Sequence, residues 1–160
     1  MEIEAPDTTV AGDVIDLWVD LAESQRSYGS HLLADENRGT IRESVVRHIV
    51  TESLLVARDG DDLVGFVMFG VESGSFEQDV RRGLVENLFV AEPYRRETVG
   101  GRLLDAAEAR LAEQDVEVIA LEVMSENEEA RAFYDDHEYD PHRIELEKVI
   151  DRNSKADEED

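Results

Sequence analysis

Arginine and glycine residues that could bind a phosphorylated ligand are concentrated in residues 84–104, which read LVENLFVAEPYRRETVGGRLL. The apolar start of this stretch predicts a strand that ends at Val90, and a helix is predicted to open near Val99. Free amide N–H groups at the start of a helix, together with the helix dipole, attract anions. Gly100 and Gly101 have no Cβ, so a phosphate can approach their backbone closely. The pattern therefore predicts a phosphate-binding loop.

The charge of this region differs from that of the rest of the chain. Residues 81–102 hold five Arg and three Glu, a net charge of +2, whereas the whole chain has 16 Lys and Arg against 40 Asp and Glu, a net charge of −24. The five arginines are Arg81, Arg82, Arg95, Arg96 and Arg102. A positive segment in so acidic a chain favours an anionic ligand with more than one phosphate. The alternative is that these arginines pair with surface carboxylates.

The elements that must position this loop alternate between helices and strands. The order predicted from hydrophobic periodicity is strand, two helices, three strands, helix, strand, helix and strand, which is typical of the α+β class. Thr40 and Glu43 resemble a capping box that opens the second helix. The later elements are predicted at residues 84–90, 99–113, 117–123, 126–137 and 143–150. We expect a single domain over residues 1–150 and an acidic, disordered tail over residues 151–160.

The composition excludes several classes of protein. A generic nucleic-acid binder needs a basic face, which a net charge of −24 does not favour. The sequence has no run of about 18 apolar residues that could cross a membrane, and it begins without the pattern of a secretory signal, so we expect a cytoplasmic protein. The chain has no Cys, and its four His lack metal-ligand spacing. We therefore expect no metal site and no cysteine nucleophile.

The excess of acidic residues has two interpretations. Carboxylates spread along the whole chain, with only two Lys among the 16 basic residues, are typical of a halophile-like protein that stays soluble in concentrated salt. The alternative is that the negative field recruits a cationic substrate. The even distribution of the acids favours the first interpretation.

Two motifs resemble those of the GNAT superfamily of acetyl-CoA-dependent N-acetyltransferases. The first has the form [Gln/Arg]-x-x-Gly-x-[Gly/Ala]; Arg95 matches its first position and Gly100 its last, while Thr98 stands at the middle glycine. In the second, the matching residues are Asn127, Ala130, Phe133 and Tyr134, and Glu138-Tyr139 stands where Gly-Phe is usual. The resemblance spans roughly residues 3–149.

The resemblance implies a GNAT-like fold with three α/β/α layers. Its sheet would be mixed and mostly antiparallel, with a central strand–helix–strand unit that binds acetyl-CoA. The residues that the resemblance assigns to the cofactor are Leu88, Phe89 and Val90 beside the acetyl and pantetheine groups, Arg95, Arg96, Glu97, Thr98, Val99, Gly100, Gly101 and Arg102 around the pyrophosphate, and Asn127 and Phe133 in the second motif.

The resemblance also implies direct transfer of acetyl from acetyl-CoA to a primary amine of a protein or small molecule. No covalent enzyme intermediate is needed, in agreement with the absence of cysteine. Tyr134 would be the general acid near the sulfur, and Glu86, in the strand beside the predicted cleft, is the candidate general base. Tyr28 and His31 are candidate acceptor-binding residues in the loop between the first two helices. Members of the family are often homodimers, and we expect no nucleic acid or membrane partner.

The sequence is also compatible with several alternatives. Tyr134 could be a core aromatic on a helix stripe, and Glu86 could be one surface carboxylate among many. The chain could also be a non-catalytic acyl-CoA-binding or regulatory module, an interpretation motivated by Thr98 and Glu138. A different phosphorylated ligand, such as another nucleotide, is a third interpretation.

Overall fold

A computed structural model describes residues 1–95 and 98–151 of the chain. Within these residues it contains five strands and four α-helices. In chain order they are β1 (Glu2–Glu4), α1 (Ala11–Arg26), α2 (Arg38–Val50), β2 (Leu54–Asp59), β3 (Asp62–Val71), β4 (Arg82–Val90), α3 (Val99–Ala112), β5 (Val118–Leu121) and α4 (Glu128–Asp136). The predicted α+β class is confirmed, and so is the strand–helix–strand unit, which consists of β4, α3 and β5.

The five strands form one sheet in the order β1-β2-β3-β4-β5. Neighbours are antiparallel except β4 and β5, which are parallel because α3 crosses over between them. The parallel pairing joins only Arg82–Val85 to Val118–Leu121. Since β4 continues to Val90, its last five residues extend beyond β5, and the two strands separate at this end of the sheet.

Two apolar clusters lie on opposite faces of the sheet and give the predicted three layers. The first contains the buried stripes of α1 and α2, including Val14, Trp18 and Val45, with Phe66 and Phe89 from the sheet. The second contains the buried face of α3, with Leu103, Ala107 and Leu111 against the other side of the strands. Parts of α4 pack at the edge of the second cluster. The sheet is therefore covered by helices on both faces.

Two predictions about element boundaries are wrong. Helix α2 begins at Arg38, with Asn37 as its N-cap, so Thr40 lies inside the first turn and is not the cap. Residues 143–150 form no strand, and Ile144 and Leu146 are exposed. Their alternating pattern is that of a strand, but a strand also needs a neighbouring strand to hydrogen-bond with, and none of the strands in the described residues pairs with this segment. Of the predicted tail, residues 152–160 lie outside the described residues.

Candidate functional site

A β-bulge in β4 determines where Glu86 lies. The register with β3 pairs Met68 with Asn87 and then Phe69 with Val85, so Glu86 is an extra residue without an opposing partner. An extra residue reverses the alternation of side chains between the two faces of a strand. Accordingly, Val85 packs in the cluster under α3, whereas Phe89, four residues later, packs in the cluster under α1 and α2. The bulge thus re-aims the part of β4 that follows it.

The Glu86 side chain meets His48, which projects from α2. The distance from His48 Nε2 to Glu86 Oε2 is 2.5 Å, and the distance from His48 Nδ1 to the backbone oxygen of Ser44 is 2.7 Å. The His48 side chain is 10% exposed, while that of Glu86 is 42% exposed. Glu86 therefore keeps a face toward solvent, and His48 holds it from the protein side.

The two hydrogen bonds determine how His48 is protonated. A carbonyl oxygen accepts only, so Nδ1 carries a proton; Nε2 must also donate if its partner is an ionised carboxylate. Burial by itself lowers the pKa of His48, but the hydrogen bonds to Glu86 and Ser44 and the charge of Glu86 outweigh it and raise that pKa. The hydrogen bond from His48 holds the pKa of Glu86 below its usual value, against the opposing effect of burial. Below the raised pKa of His48 the pair is therefore an imidazolium next to a carboxylate, and the charge of Arg47 lowers the pKa of both groups.

This ion pair predicts a pH-dependent contribution to stability. The raised pKa of His48 gives stability that is present below its unfolded value of about 6.5 and is lost as the pH rises through the native pKa. The lowered pKa of Glu86 gives stability that is present above about 4.3 and is lost as the pH falls through the native pKa.

We therefore expect the free energy of unfolding of the wild type to exceed that of His48→Gln most clearly between about pH 4.3 and 6.5. The difference should shrink above this range. Denaturant unfolding at a series of pH values measures it, with His142→Gln, an exposed histidine, as the control. A difference that stays constant from pH 5 to pH 9 would contradict the assigned charge states.

Helix α3 begins beside the end of β4 where β4 and β5 separate. Its N-cap, Thr98, makes no capping hydrogen bond with its side chain, and the Arg102 N–H donates to the Thr98 backbone oxygen at 3.0 Å. The amides of Val99, Gly100 and Gly101 precede that bond and have no intrahelical acceptor. Thr98 has φ −82°, a conformation open to any residue. The loss of the usual glycine at this position therefore introduces no backbone strain.

Gly100 and Gly101 both lie with their Cα atoms facing α4, but only Gly101 is closely packed. A Cβ on Gly100 would lie 3.5 Å from the Phe133 ring, which is an ordinary van der Waals distance. A Cβ on Gly101 would lie 3.2 Å from His137 Nε2, so that side chain would have to shift slightly. Packing against α4 therefore does not explain the glycine at position 100, whose amide is free at the helix start.

The arginines of the predicted phosphate loop have other partners in this structure. Arg95 Nε donates to the backbone oxygen of Val90 at 2.9 Å, and its guanidinium lies 5.2 Å from the centre of the Phe89 ring. Arg102 donates to the backbone oxygen of Met1 at 3.2 Å. Arg96 and Glu97, also predicted to bind the cofactor, lie outside the described residues. Among the described arginines of the motif, the side chains therefore fasten the loop and the N-terminal residues to their surroundings.

The second motif lies on α4 and packs beside the start of α3. Asn127 is the N-cap of α4 and accepts a hydrogen bond from the Ala130 N–H at 3.1 Å. Tyr134 is half-buried between Phe133 and Tyr139, with ring centres 5.2 Å and 5.9 Å away. Burial raises the pKa of Tyr134 to about 12. Its phenol therefore stays protonated at every physiological pH and is a hydrogen-bond donor.

Glu138 occupies a position at the end of α4 that favours glycine. It has φ +70°, a left-handed conformation that is unfavourable for a residue with a Cβ. Glu138 therefore differs from the family's usual glycine in residue type, but the backbone of the turn has the conformation that glycine would adopt. Tyr139, which follows it, donates from its hydroxyl to Glu108 on α3 at 2.6 Å. This bond ties the end of α4 to α3.

Neither of the predicted acceptor-binding residues lines a cavity at the end of β4. His31 is exposed and lies 2.9 Å from Glu147, and Tyr28 is half-buried in the loop after α1. A cleft of about 390 Å³ does lie between α1 and the end of β4. Its lining residues are Asp20, Ser24, Phe89, Ala91, Glu92, Pro93 and Arg95.

The sequence analysis did not include His48 among the site residues, although its position on a buried helix face could have indicated it. Ile41, Val45, His48 and Ile49 share the helical spacing of one face, and all four are buried in α2. A histidine on a buried stripe needs polar partners, and these are Ser44 and Glu86. Among the described residues, no group of three or more His, Cys, Asp or Glu could hold a metal ion, and no helix there is long and apolar enough to cross a membrane.

Comparison with known proteins identifies the fold. A mutant protein from Bacillus halodurans superposes with a TM-score of 0.81 at 17% identity, covering 94% of this chain and 99% of that one. A GCN5-related N-acetyltransferase from Ralstonia eutropha gives a TM-score of 0.73 at 20% identity, with 93% and 97% covered. An aminoglycoside acetyltransferase from an uncultured soil metagenomic sample gives a TM-score of 0.66 at 16% identity, with 94% and 96% covered. No curated protein sequence matches the chain.

The sequence itself supplies the family. The profile of the Acetyltransferase (GNAT) family matches residues 15–139. The matched range runs from α1 through α4 and contains the bulge in β4, the start of α3 and the second motif. The predicted resemblance is therefore confirmed over most of the chain. This chain belongs to the GNAT acetyltransferase family and is an acyltransferase.

Proposed function

We propose that the protein is an N-acetyltransferase that moves the acetyl group of acetyl-CoA directly to a primary amine. The observation that best supports this proposal is the separation of β4 from β5 next to the uncapped start of α3. A separated pair of strands leaves backbone groups of β4 accessible to an extended ligand. Free amides at the adjacent helix start suit its phosphates. Pantetheine and pyrophosphate are joined in CoA in this same order.

The proposed cofactor site uses backbone more than side chains. Leu88, Phe89 and Val90 would run alongside the acetyl and pantetheine groups, and the amides from residue 95 to residue 101 would hold the pyrophosphate. Asn127 uses its side-chain oxygen for the α4 cap, which leaves its Nδ2 group as the donor to the pantetheine arm. Phe133 supports the start of α3 from the other side.

The proposed reaction needs no covalent intermediate on the enzyme. The amine nitrogen attacks the thioester carbon, the new C–N bond forms, and the C–S bond breaks to release the CoA thiolate. A backbone N–H near Phe89 or Val90 would stabilise the developing oxyanion. Glu86, directly or through a water molecule, would take the proton that the amine loses. Tyr134 would donate to the departing thiolate, for which its protonated phenol is suited.

The cleft beside α1 supports an amine as the acceptor. Its lining includes two acidic residues, Asp20 and Glu92, and one basic residue, Arg95, so its formal charge is negative. An approaching ammonium group is attracted to a cleft with a net negative charge before it loses its proton. The acceptor would then reach the acetyl group from the α1 face of the sheet, where Phe89 also packs.

We also propose the setting in which the protein works. The even spread of acidic residues supports adaptation to concentrated salt, where the Debye length is only about 3 Å at 1 M. Long-range attraction of a cationic acceptor would then be weak, and the acidic cleft would act at short range. We place the protein in the cytoplasm and propose that it forms a homodimer.

A negative charge introduced at Thr98 tests the proposed pyrophosphate site, with the affinity for acetyl-CoA as the readout. Thr98 is exposed at the start of α3, so either Glu or Gln fits there. We expect Thr98→Glu to weaken acetyl-CoA binding by about 10- to 100-fold, because a carboxylate would face the pyrophosphate at close range. In Thr98→Gln the new side chain has the same size as Glu but no charge. Its dissociation constant for acetyl-CoA should lie within about threefold of the wild-type value. Isothermal titration calorimetry measures both dissociation constants. Equal affinities of the two variants for acetyl-CoA would contradict the assignment of the pyrophosphate to this site.

The second candidate function is that of a non-catalytic module that binds acyl-CoA or has a regulatory role. Two departures from the family motifs, Thr98 and Glu138, motivate it. The φ values of these residues, −82° and +70°, are ones that glycine would also adopt, so neither departure gives a structural reason to prefer the module. Saturable binding of acetyl-CoA without turnover on any amine would instead favour the module.

A further inference from the structure

Two contacts hold the Arg95 side chain in one place. Its Nε donates to the backbone oxygen of Val90 at 2.9 Å. Its guanidinium carbon lies 5.2 Å from the centre of the Phe89 ring, within the range of a cation–π contact. Both partners belong to the end of β4. The guanidinium is therefore fixed at the end of this strand, although the residue is exposed to solvent.

The terminal nitrogens of this guanidinium are available to a ligand. Arg95 lines the cleft of about 390 Å³ together with the acidic residues Asp20 and Glu92. Within residues 1–95 and 98–151, no carboxylate forms a salt bridge with Arg95, whereas three other arginines each pair with one. The hydrogen bond that Arg95 makes there uses Nε and leaves both Nη groups free. The cleft thus contains a fixed cation that neither of its own carboxylates neutralises.

The Arg95 side chain lies on the face of the sheet from which the acceptor is proposed to approach. The Phe89 ring packs in the cluster under α1 and α2, and the cleft that Arg95 lines also contains residues of α1. Val99, the first residue of α3, packs in the cluster on the opposite face. The side chain is therefore directed to the acceptor cleft and not to the start of α3, where the pyrophosphate is proposed to bind.

A fixed guanidinium with two free Nη groups suits a carboxylate. The Nη groups lie in one plane and can donate two parallel hydrogen bonds to the two carboxylate oxygens. Because Nε and the ring contact already orient the side chain, little conformational entropy is lost when the carboxylate binds. Asp20 and Glu92 attract the ammonium group of the same molecule. Charges of both signs in one cleft therefore suit an acceptor that carries an amine and a carboxylate.

The position of Arg95 also indicates how far apart these two groups lie in the acceptor. Val90, whose carbonyl oxygen holds Arg95, is one of the three residues proposed to run beside the acetyl and pantetheine groups. A carboxylate on Arg95 would therefore lie close to the amine that attacks the thioester. In an α-amino acid the two groups are attached to one carbon. In lysine the whole side chain separates the terminal amine from the carboxylate, and a polyamine has no carboxylate.

We propose that the Arg95 side chain binds the carboxylate of the acceptor, and that the acceptor is a free α-amino acid. This inference rests on the proposed function, since it names the acceptor class of the same reaction. It assigns only the side chain of Arg95, so the backbone of the loop that follows still belongs to the pyrophosphate site. Arg95 determines specificity and takes no part in proton transfer.

Matched pairs of acceptors test the proposal. Each pair is an α-amino acid and the amine that lacks only its carboxylate, such as phenylalanine with phenethylamine or leucine with isopentylamine. With saturating acetyl-CoA, we expect the wild-type kcat/KM to be at least about tenfold higher for the amino acid of each pair. In Arg95→Gln this preference should fall by about 10- to 100-fold, because the charge-assisted hydrogen bonds to the carboxylate are lost. Arg95→Lys, which keeps the charge without the planar fork, should give an intermediate preference.

Controls separate this role of Arg95 from binding of the cofactor. The kcat/KM of Arg95→Gln for the amines without a carboxylate, and its calorimetric dissociation constant for acetyl-CoA, should stay within about threefold of the wild-type values. Arg42→Gln removes a positive charge from an exposed position on α2 and should keep the wild-type preference.

The outcomes that contradict this inference differ from those that contradict the proposed function. An unchanged preference in Arg95→Gln would overturn the role of Arg95 and leave the N-acetyltransferase intact, and so would a wild type that acetylates both members of each pair equally well. Weaker binding of acetyl-CoA with an unchanged preference would assign the side chain to the pyrophosphate instead. If no amine of either kind is acetylated, the proposed function is wrong and this inference is wrong with it.

Discussion

Replacing Tyr134 with Phe is expected to lower kcat by about 10²- to 10⁴-fold, the range for losing a positioned proton donor. The dissociation constant for acetyl-CoA should change by less than about threefold, because the ring and its packing against Phe133 and Tyr139 remain. Steady-state kinetics with saturating acetyl-CoA, together with calorimetry, separates the two quantities. Only kcat should fall, because Tyr134 donates its proton to the CoA thiolate in the transition state and not to bound acetyl-CoA.

Tyr139→Phe is the matched control for Tyr134. It removes the hydroxyl group from the ring next to Tyr134. Among the described residues, that hydroxyl donates a hydrogen bond to Glu108. We expect it to lower the free energy of unfolding by about 1 kcal/mol, the usual contribution of one hydrogen bond, with little change in kcat. If Tyr134→Phe keeps the full wild-type kcat on an amine that the wild type acetylates, Tyr134 has no part in the proton transfer.

Glu86→Gln is expected to lower kcat/KM by about 10²-fold or more, because the carboxamide cannot take the proton from the amine. Glu113→Gln, an exposed change after α3, serves as the control for the loss of one negative charge. Full activity of Glu86→Gln would exclude it as the base.

The pH profile distinguishes a positioning role of His48 from a purely structural one. While His48 is protonated, its positive charge neutralises Glu86 and makes it a weaker base. As the pH rises through the raised pKa of His48, the charge disappears, and Glu86 becomes more basic. We therefore expect the ratio of wild-type to His48→Gln kcat/KM to rise with pH above about 6.5. A purely structural histidine would leave that ratio flat, and a flat ratio would contradict the role assigned to His48.

The parts of the fold that local pattern determines were predictable from the sequence. Hydrophobic periodicity predicted the order of the elements from β1 to α4, and the glycines at Gly100 and Gly101 indicated where α3 begins. The start of α2 was displaced by three residues, because the capping pattern at Thr40 predicts an N-cap there, whereas Asn37 is the N-cap of a helix that begins at Arg38. Such ends depend on packing as much as on caps.

What could not be predicted depends on contacts between distant residues. The bulge at Glu86 is a matter of register between β3 and β4, and a one-residue shift leaves no mark in either strand alone. Glu86 could be proposed as a base from its place in the strand, but its pairing with His48 joins residues 38 positions apart. Residues 143–150 show the opposite case. They have the alternating pattern of a strand, but they form none, because no strand of the described residues lies beside them to supply backbone hydrogen bonds.

Acetylation of a panel of primary amines at high and low salt, followed by mass spectrometry, tests the proposed function most directly. The panel includes peptide N-termini, lysine, polyamines, amino acids and aminoglycosides, with acetyl-CoA as the donor. The proposed function predicts that at least one amine gains an acetyl group while an equal amount of CoA is released. The enzyme itself should carry no acetyl group. Saturable binding of acetyl-CoA with no acetylated amine across the panel, at either salt concentration, would contradict an active N-acetyltransferase and favour the non-catalytic module.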